Sequence, residues 1–280
     1  MTISRRRLLV TAATTTLACA GAPLAAYGYG RGLEAEWISI ERVKIPIKGL
    51  PTSLEGFRIV QMSDFHIFPF TTPQFAQRCV DAANALNPDV VVLTGDYVVS
   101  TEESVFDLAP VLRAIKSKYG AFATLGNHDH WQDKDVVLLG LNRGGVRPLV
   151  NESAIISVGG ANLLLAGLDD HWAGRPDISR AMEQWKEGMT SVLLVHEPDV
   201  AHTYADDGRF ALQLSGHSHG GQIRVPFYGP IWLPPYAQQF DMGHYHVDNM
   251  HLYVTRGIGC IRKPLRLNCR PEITELTLTA

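Results

Sequence analysis

The chain has 280 residues, of which 46% are hydrophobic and 19% are charged, and its formal net charge at pH 7 is -3. This length supports one large domain with a sizeable core, or two small ones. A nucleic-acid partner usually requires a basic face, and the near-neutral charge balance leads us to expect no such partner.

The first residues have the layout of an export signal. Ser4–Leu9 contains consecutive arginines, and a weakly apolar run rich in alanine and threonine follows to about Ala26. No acidic residue precedes Glu34. A basic start, an apolar middle and a small-residue end are typical of export signals, and this start resembles twin-arginine (Tat) signals. Such signals carry folded proteins, so the Tat translocase is the expected export partner.

The signal sets the expected domain boundary and location. We predict a twin-arginine signal and linker over residues 1–32 and a single folded domain over residues 33–280. Cleavage after Ala20 or Ala22 and retention of the signal as an anchor both remain open. Either outcome would place the domain in the periplasm or on the outer face of the cytoplasmic membrane.

Short apolar runs alternate with helical patterns along the rest of the chain. The runs that predict strands are Trp37–Ile45, Phe57–Ser63, Asp89–Thr94, Ala121–Leu125, Ala154–Val158, Ala161–Leu168, Ser191–Val195, Phe210–Leu214, Leu252–Thr255 and Ile273–Leu278. The patterns that predict helices are Pro73–Leu86, Ser104–Lys118, Asp133–Leu141 and Ile178–Trp185. Strands that alternate with helices indicate an α/β fold.

Five of the apolar runs end in residues of the types that bind metals. These residues are Asp64 and His66, Asp96, Asn127 and His128, His196, and His217 and His219. Residues two apart in extended chain point to the same side, so each Asp-x-His or His-x-His pair presents two ligands together. Sites in layered α/β folds form at the carboxyl ends of strands. Five strand ends of this kind therefore indicate one shared metal site.

The number and type of these side chains indicate two ions. Two carboxylates, one amide oxygen and four imidazoles exceed what one tetrahedral zinc ion needs, and they suit two ions bridged by a carboxylate. Oxygen and nitrogen ligands without sulfur favour Mn, Fe or Zn over Ca or Mg. Two such ions about 3.5–4 Å apart are a known device for hydrolysing phosphate esters.

The same motifs carry a family resemblance. The order Asp-x-His, Gly-Asp, Gly-Asn-His-Asp, Val-His and Gly-His-Ser-His resembles the calcineurin-like metallophosphoesterase family over about residues 40–280. Tyr253–Gly259 and Asn268–Glu272 resemble its bacterial subgroup with an exported or membrane-tethered domain. The resemblance implies an α/β two-sheet sandwich flanked by helices. It also implies a phosphoesterase that cleaves phosphodiesters or phosphomonoesters through metal-bound hydroxide.

The resemblance further implies a role for each side chain. It assigns the first ion to Asp64, His66 and His219, a bridging position to Asp96, and the second ion to Asn127, His196 and His217. It places His128 towards the substrate, to stabilise charge on the phosphate or to protonate the leaving oxygen. Asp129 is expected to orient His128 by accepting its other N–H.

The substrate and two neighbouring regions stay open at this stage. One branch that resembles this sequence hydrolyses the pyrophosphate of UDP-2,3-diacylglucosamine in lipid A synthesis, and another lipid- or envelope-linked phosphodiester is the competing substrate class. A non-catalytic envelope module that binds metal or another ligand is the alternative of a different kind. We expect Asp169–His171 to form a surface loop. Tyr97 should point away from the site, and a disulfide between Cys260 and Cys269 is left open.

Overall fold

The structure is a computed structural model that describes residues 21–280. The predicted twin-arginine motif, Ser4–Leu9, lies outside these residues. Residues 21–32 form a helix, so the segment that the sequence predicts as a linker is helical. Within residues 21–280, no helix combines the length and the apolar character needed to cross a membrane.

Fourteen strands and six α-helices follow this first helical segment. The strands are β1 (Ser39–Pro46), β2 (Arg58–Met62), β3 (Val90–Thr94), β4 (Ala121–Thr124), β5 (Arg147–Pro148), β6 (Glu152–Val158), β7 (Ala161–Gly167), β8 (Thr190–Leu194), β9 (Leu212–Ser215), β10 (Arg224–Val225), β11 (Gly229–Pro230), β12 (Gly243–Val247), β13 (Met250–Val254) and β14 (Glu272–Thr279). The helices are α1 (Pro73–Ala85), α2 (Val105–Leu112), α3 (Asn127–Trp131), α4 (Lys134–Arg143), α5 (Ile178–Ala181) and α6 (Ala201–Ala205).

Two six-stranded sheets form the body of the domain. The first has the strand order β1-β14-β2-β3-β4-β5, and the second has the order β12-β13-β9-β8-β7-β6. The strands from β2 to β5 run parallel, as do β13, β9, β8 and β7. Strands β10 and β11 form a separate antiparallel ribbon. The parallel strands therefore bring their carboxyl ends, and the residues that follow them, to one edge of each sheet.

The two sheets pack face to face around a shared apolar core. Ile59, Val92, Leu165 and Leu194 lie in this core and are fully buried. A second cluster packs α1, α2 and α4 on the outer face of the first sheet, and a third packs α5 and α6 on the second. Each sheet thus has both faces covered, which explains why its parallel strands read as continuous apolar runs. The predicted α/β two-sheet sandwich flanked by helices is confirmed.

The predicted helices differ from the observed ones mainly in length. α1 begins and ends within one residue of the prediction, because Thr72 caps it and Pro73 occupies its first turn. α2 ends at Leu112 rather than Lys118, two residues after Pro110, which cannot donate a backbone hydrogen bond within the helix. α5 keeps only its first turn, where Asp177 caps Arg180.

Candidate metal centre

A first group of three ligand-type side chains lies where β2 and β9 end. His66 Nε2 lies 2.9 Å from His219 Nε2, and His219 Nε2 lies 3.3 Å from Asp64 Oδ1. All three side chains are buried. Their ligand atoms lie within 4.8 Å of one another, so one cation can contact all three. Two imidazole nitrogens that face each other this closely are readily explained as ligands of one ion.

A second group adjoins the first through Asp96. Asp96, His196 and His217 also place their ligand atoms within 4.8 Å of one another. Asp96 Oδ2 lies 3.2 Å from His196 Nε2 and 3.5 Å from His66 Nε2 of the first group. This one carboxylate oxygen therefore stands between the two groups. Asn127, which follows β4, lines the same cavity as Asp96 and His217.

Several buried polar atoms at the centre have no hydrogen-bond partner in the described part of the chain, which is the condition expected of atoms that bind a cation. Among residues 21–280, Asn127 Oδ1, His196 Nε2 and His219 Nδ1 are buried without a hydrogen-bond partner. Leaving such an atom unsatisfied costs about 1–3 kcal/mol. A divalent cation would satisfy the amide oxygen and the His196 nitrogen directly. The oxygen and nitrogen donor set is also one that transition metals bind.

Backbone carbonyls hold two of the imidazoles in the tautomer that a metal needs. His196 Nδ1 donates to Thr94 O at 2.6 Å, and His217 Nε2 donates to Pro235 O at 2.8 Å. A carbonyl only accepts hydrogen bonds, so the proton of each ring lies on the carbonyl side. The lone pair is then on His196 Nε2 and on His217 Nδ1. Hydrogen bonds of this kind fix ring orientation and raise the basicity of the ligand.

Burial sets the charge state of the centre. It lowers the pKa of His66 and of His217 to about 3, so both rings are neutral, which is the form that binds metals. Burial also raises the pKa of Asp64 to about 6. His196 differs, because burial alone would lower its pKa but the Asp96 carboxylate raises it.

The backbone at the centre adopts left-handed conformations, which persist in non-glycine residues only where the surrounding structure enforces them. Five of the ligand-type residues have a positive φ, namely Asp64, His66, Asp96, His217 and His219. Each such residue costs of order 1–3 kcal/mol, and strain of this kind concentrates at functional sites. The chain turns sharply after each strand, which aims the side chains inward.

Two glycines leave the room that these side chains occupy. A Cβ at Gly216 would overlap Ser63 Oγ and Asp64 Oδ2, although the φ of Gly216 is ordinary. Gly95 has a φ of +96°, and a Cβ there would lie 2.6 Å from His196 Nδ1. Only glycine therefore lets neighbouring loops approach the two ligand groups this closely.

Asp129 has a different task from the one predicted. Its Oδ2 accepts from the backbone N–H groups of Asp96 and Gly126, both at 2.9 Å, and its Oδ1 accepts from Tyr97 N at 2.8 Å. Among residues 21–280, no hydrogen bond joins the His128 ring to Asp129, the contact that the resemblance implied, and the Asp129 oxygens accept from these backbone donors. Asp129 instead joins the loop of Asp96 to the start of α3 and so positions the central carboxylate.

Comparison with known proteins identifies the family. The model of the calcineurin-like phosphoesterase family matches residues 57–221, which include all of the predicted metal ligands. The chain belongs to this family. It is accordingly a metal-dependent phosphoester hydrolase, as predicted, and the family's use of divalent metals agrees with the clustered carboxylates and imidazoles.

Two relatives of this phosphoesterase align over nearly its whole length. "Uncharacterized metallophosphoesterase YkuE" of Bacillus subtilis (strain 168) is 38% identical over 256 residues, which are 90% of this chain and 89% of the relative. "Phosphodiesterase YaeI" of Escherichia coli (strain K12) is 30% identical over 280 residues, which are 99% of each chain. Among solved structures, TT1561 of Thermus thermophilus superposes with a TM-score of 0.49 at 12% identity, over 72% of this chain and 90% of that chain.

The two ligand-type groups of this phosphoesterase open into a cavity that aromatic side chains help to line. The cavity has a volume of about 350 Å³, and Trp131, Trp172 and Trp232 form much of its wall. The Trp131 and Trp172 rings meet edge to face, 4.9 Å between centroids. His128 also lines the cavity, and its ring lies 4.9 Å from the ring of His66 and 4.9 Å from that of Trp131. His128 thus lines the cavity beside the first ligand group.

The segment after β7, which the sequence predicts as a surface loop, is largely buried. Asp169 is 4% exposed and Asp170 is fully buried. Asp170 Oδ1 and Glu197 Oε1 both accept from Trp172 N, at 3.0 and 2.9 Å. Burial, together with the neighbouring Asp170 carboxylate, raises the pKa of Glu197 to about 8. These carboxyl groups fix the backbone that carries Trp172. The sequence offered one signal of this role, because Glu197 follows the predicted ligand His196 and Asp170 lies two residues before Trp172.

Tyr97 and the two cysteines near the C-terminus lie outside the ligand groups. Tyr97 points away from the ligands, as predicted, and its hydroxyl donates to Thr124 O at 2.9 Å in the core. Val99 lines the cavity instead. Cys260 and Cys269 are both free and buried, so the disulfide left open by the sequence is not formed.

Proposed function

We propose that the chain hydrolyses phosphodiesters with a pair of divalent ions. The position of Asp96 Oδ2, 3.5 Å from His66 Nε2 and 3.2 Å from His196 Nε2, carries this proposal. An oxygen between two ligand groups is the arrangement that a bridging carboxylate requires. The printed name of the relative YaeI, a phosphodiesterase, supports a diester as the substrate.

In this proposal each ligand group holds one ion. Asp64, His66 and His219 would hold the first ion, Asn127, His196 and His217 would hold the second, and Asp96 would bridge them. When bound, such ions polarise phosphoryl oxygens and lower the pKa of a water molecule towards neutrality. Mn, Fe or Zn would suit the mixed oxygen and nitrogen ligands.

The protein's own residues would bind the ester and move its protons. The backbone N–H of His128 donates to Asp96 Oδ1 at 2.9 Å, which fixes the start of α3 relative to the bridge. The His128 ring, which faces the cavity, is placed to protonate the leaving oxygen or to stabilise negative charge on the phosphate. Arg262 also lines the cavity and offers a cation to an anionic substrate. Trp131 and Trp172 would hold the ester groups and exclude water.

Metal reconstitution tests the proposal. The metal-stripped protein is supplied singly with Mn, Fe(II), Zn, Ni or Mg, and bound metal and bis-(p-nitrophenyl) phosphate hydrolysis are measured together. We expect two ions per chain and activity with a transition metal. Asp96→Asn should lose at least one ion and at least roughly a hundredfold in rate, whereas Asp81→Asn, an exposed carboxylate on α1, should retain both. One ion per chain at full activity would contradict a two-ion mechanism.

A second comparison separates diesters from monoesters. Hydrolysis of bis-(p-nitrophenyl) phosphate is compared with that of p-nitrophenyl phosphate under the same metal conditions. The tryptophans that line the cavity lead us to expect faster hydrolysis of the diester, because its second ester group would have an aromatic surface to contact. A large preference for the monoester would contradict the substrate class but not the two-ion centre.

We also propose that the chain is exported in folded form by the Tat translocase. The support is the sequence of Ser4–Leu9 and the absence of acidic residues before Glu34. The full chain is produced in bacterial cells with and without a working translocase, and the cell fractions are compared. We expect export in the first case, and retention of Arg5→Lys/Arg6→Lys in the cytoplasm. Equal export of the variant would contradict this route.

A further inference from the structure

The β10–β11 ribbon carries a set of apolar side chains exposed to solvent. They are Val225, Phe227, Tyr228, Ile231 and Trp232, which we call the ribbon surface. Phe227 is fully exposed and Tyr228 is 77% exposed. A single exposed apolar side chain is normal on a protein surface, but a contiguous patch of large aromatic side chains indicates an interaction site.

The ribbon is held firmly at its base. Arg224 Nη1 donates to Gly220 O and to Asp241 Oδ2, both at 2.7 Å, and Ile231 N donates to Ile223 O at 3.1 Å. Tyr228 N closes the turn by donating to Val225 O at 3.1 Å. These bonds fix the path of the chain, so the exposed rings are presented by an ordered turn.

The unpaired charges beside the ribbon are basic, since the Asp241 carboxylate at its base is paired with Arg224. No acidic residue occurs between Asp207 and Asp241, and none occurs between Asp248 and Glu272. Arg262 and Lys263 lie exposed beside the ribbon, and neither forms an ion pair within residues 21–280. The Arg262 guanidinium lies over the Trp232 ring, 3.9 Å from its centroid. Aromatic rings next to unpaired cations are the combination that binds the interface of an anionic bilayer.

We propose that the ribbon surface docks the protein on a bilayer of anionic phospholipid. Phe227 and Tyr228 enter the interfacial layer, while Arg262 and Lys263 contact the lipid phosphates. Trp232 and Arg262 also line the catalytic cavity, so docking holds the cavity mouth at the lipid surface. This inference goes beyond the proposed hydrolysis and does not depend on which ester is cleaved.

The shape of the ribbon surface favours a bilayer over a protein partner. A stable protein interface buries about 800 Å² on each partner and needs a broad complementary face. Here the apolar side chains are confined to the turn and edge of a two-stranded ribbon with two residues in each strand. A narrow projecting turn can enter a fluid interface without a matching concave surface.

Vesicle partition of the full chain tests the proposal. The vesicles are phosphatidylcholine alone, or two parts phosphatidylcholine with one part phosphatidylglycerol. We expect Phe227→Ser/Tyr228→Ser to lower the partition coefficient on the anionic vesicles by at least about tenfold, whatever binding the rest of the chain contributes. Leu139→Ser/Ile155→Ser, which removes two exposed apolar side chains on α4 and β6, should change it less than about twofold. Lys263→Glu should weaken partition by about tenfold on the anionic vesicles only.

Catalysis and self-association serve as independent readouts. Phe227→Ser/Tyr228→Ser should hydrolyse a soluble diester at the wild-type rate and keep its melting temperature, because neither side chain lines the cavity or the core. Unchanged partition in this variant would overturn the proposal. A change from dimer to monomer with unchanged partition would overturn it too, and would assign the surface to a second copy. The partition assay needs no turnover, so its result is separable from that of the hydrolysis proposal.

Discussion

His130 Nε2 lies 2.7 Å from Asp169 Oδ1 and so joins helix α3 to the segment after β7. Trp131 follows His130 in α3, and Trp172 lies in the segment after β7. The pair therefore supports the edge-to-face contact of the two tryptophans at the cavity wall. Its charge state decides how firmly the wall is held.

The stability of this pair should depend on pH. Burial alone would lower the pKa of His130, but the hydrogen bond with Asp169 raises it above 6.5, and His130 holds the pKa of Asp169 below 3.8 against its own burial. The raised histidine pKa gives stability that is fully present below pH 6.5 and is lost as the pH rises through the folded value. The lowered aspartate pKa gives stability that is present above pH 3.8 and is lost in more acid solution. The pair should stabilise most between these two values.

Variants at both positions check this pH dependence. His130→Gln should lower the free energy of unfolding by about 1–3 kcal/mol near pH 5.5, and by less as the pH rises above neutrality. A double-mutant cycle with Asp169→Asn isolates the pair from other losses. A coupling energy that is constant from pH 5 to pH 9 would show that the pair is not charged in the folded protein.

Removal of the His128 ring should slow the reaction without emptying the centre. His128→Ala leaves all the proposed ligands in place and removes the group that faces the cavity. We expect kcat for a diester to fall by roughly 100- to 10,000-fold while the bound metal per chain stays unchanged. His202→Ala, an exposed histidine on α6, is the matched control and should retain kcat. Loss of metal together with activity in His128→Ala would make His128 a ligand instead.

A methyl group at Gly216 should weaken the first ligand group. The new Cβ would displace Ser63 or Asp64, so Gly216→Ala should lower metal affinity by roughly ten- to a hundredfold. Gly28→Ala is the control, because a Cβ there meets nothing within 4 Å. Competition with a chelator dye measures the affinity of both variants. Wild-type affinity in Gly216→Ala would show that the loop moves aside at little cost.

The core between the sheets should be sensitive to cavities. Leu165→Ala removes a fully buried side chain from the face of β7 that meets the first sheet, and it should lower the free energy of unfolding by about 2–5 kcal/mol. Ile155 on β6 is exposed on the opposite face of the second sheet, and Ile155→Ala should cost less than about 1 kcal/mol. Denaturant titration gives both values. If Leu165→Ala lowers the free energy of unfolding only slightly, the two sheets must move together and fill the cavity that the side chain leaves.

The clustering of the candidate ligands could be predicted because each of them lies in a local motif at the end of a strand. Asp64 and Asp96 directly follow buried parallel strands, and His217 and His219 share one short loop, so the motif and the strand end suffice to bring them together. The two-sheet sandwich followed from the alternation of elements together with the family resemblance. These features depend on patterns that a few adjacent residues contain.

The features that escaped prediction depend on distant contacts. The oxygens of Asp129 bond to the backbone of Asp96 and Tyr97, more than thirty residues away in the chain. The polar run at Asp169–His171 resembles a surface loop until Glu197 and His130 are known to pack against it. The β10–β11 ribbon has two residues in each strand, too few for any periodicity to show.

The order of strands in the first sheet constrains how the chain can fold during synthesis. Among the strands of residues 21–280, β1 pairs only with β14, along its whole length, and β14 inserts between β1 and β2. During synthesis β1 therefore has no strand to pair with until Glu272–Thr279 has left the ribosome. A nascent chain that stops before Glu272 keeps an unpaired edge on β2, which invites pairing with other chains. Chaperone dependence and aggregation should accordingly concentrate in translation products that lack these eight residues.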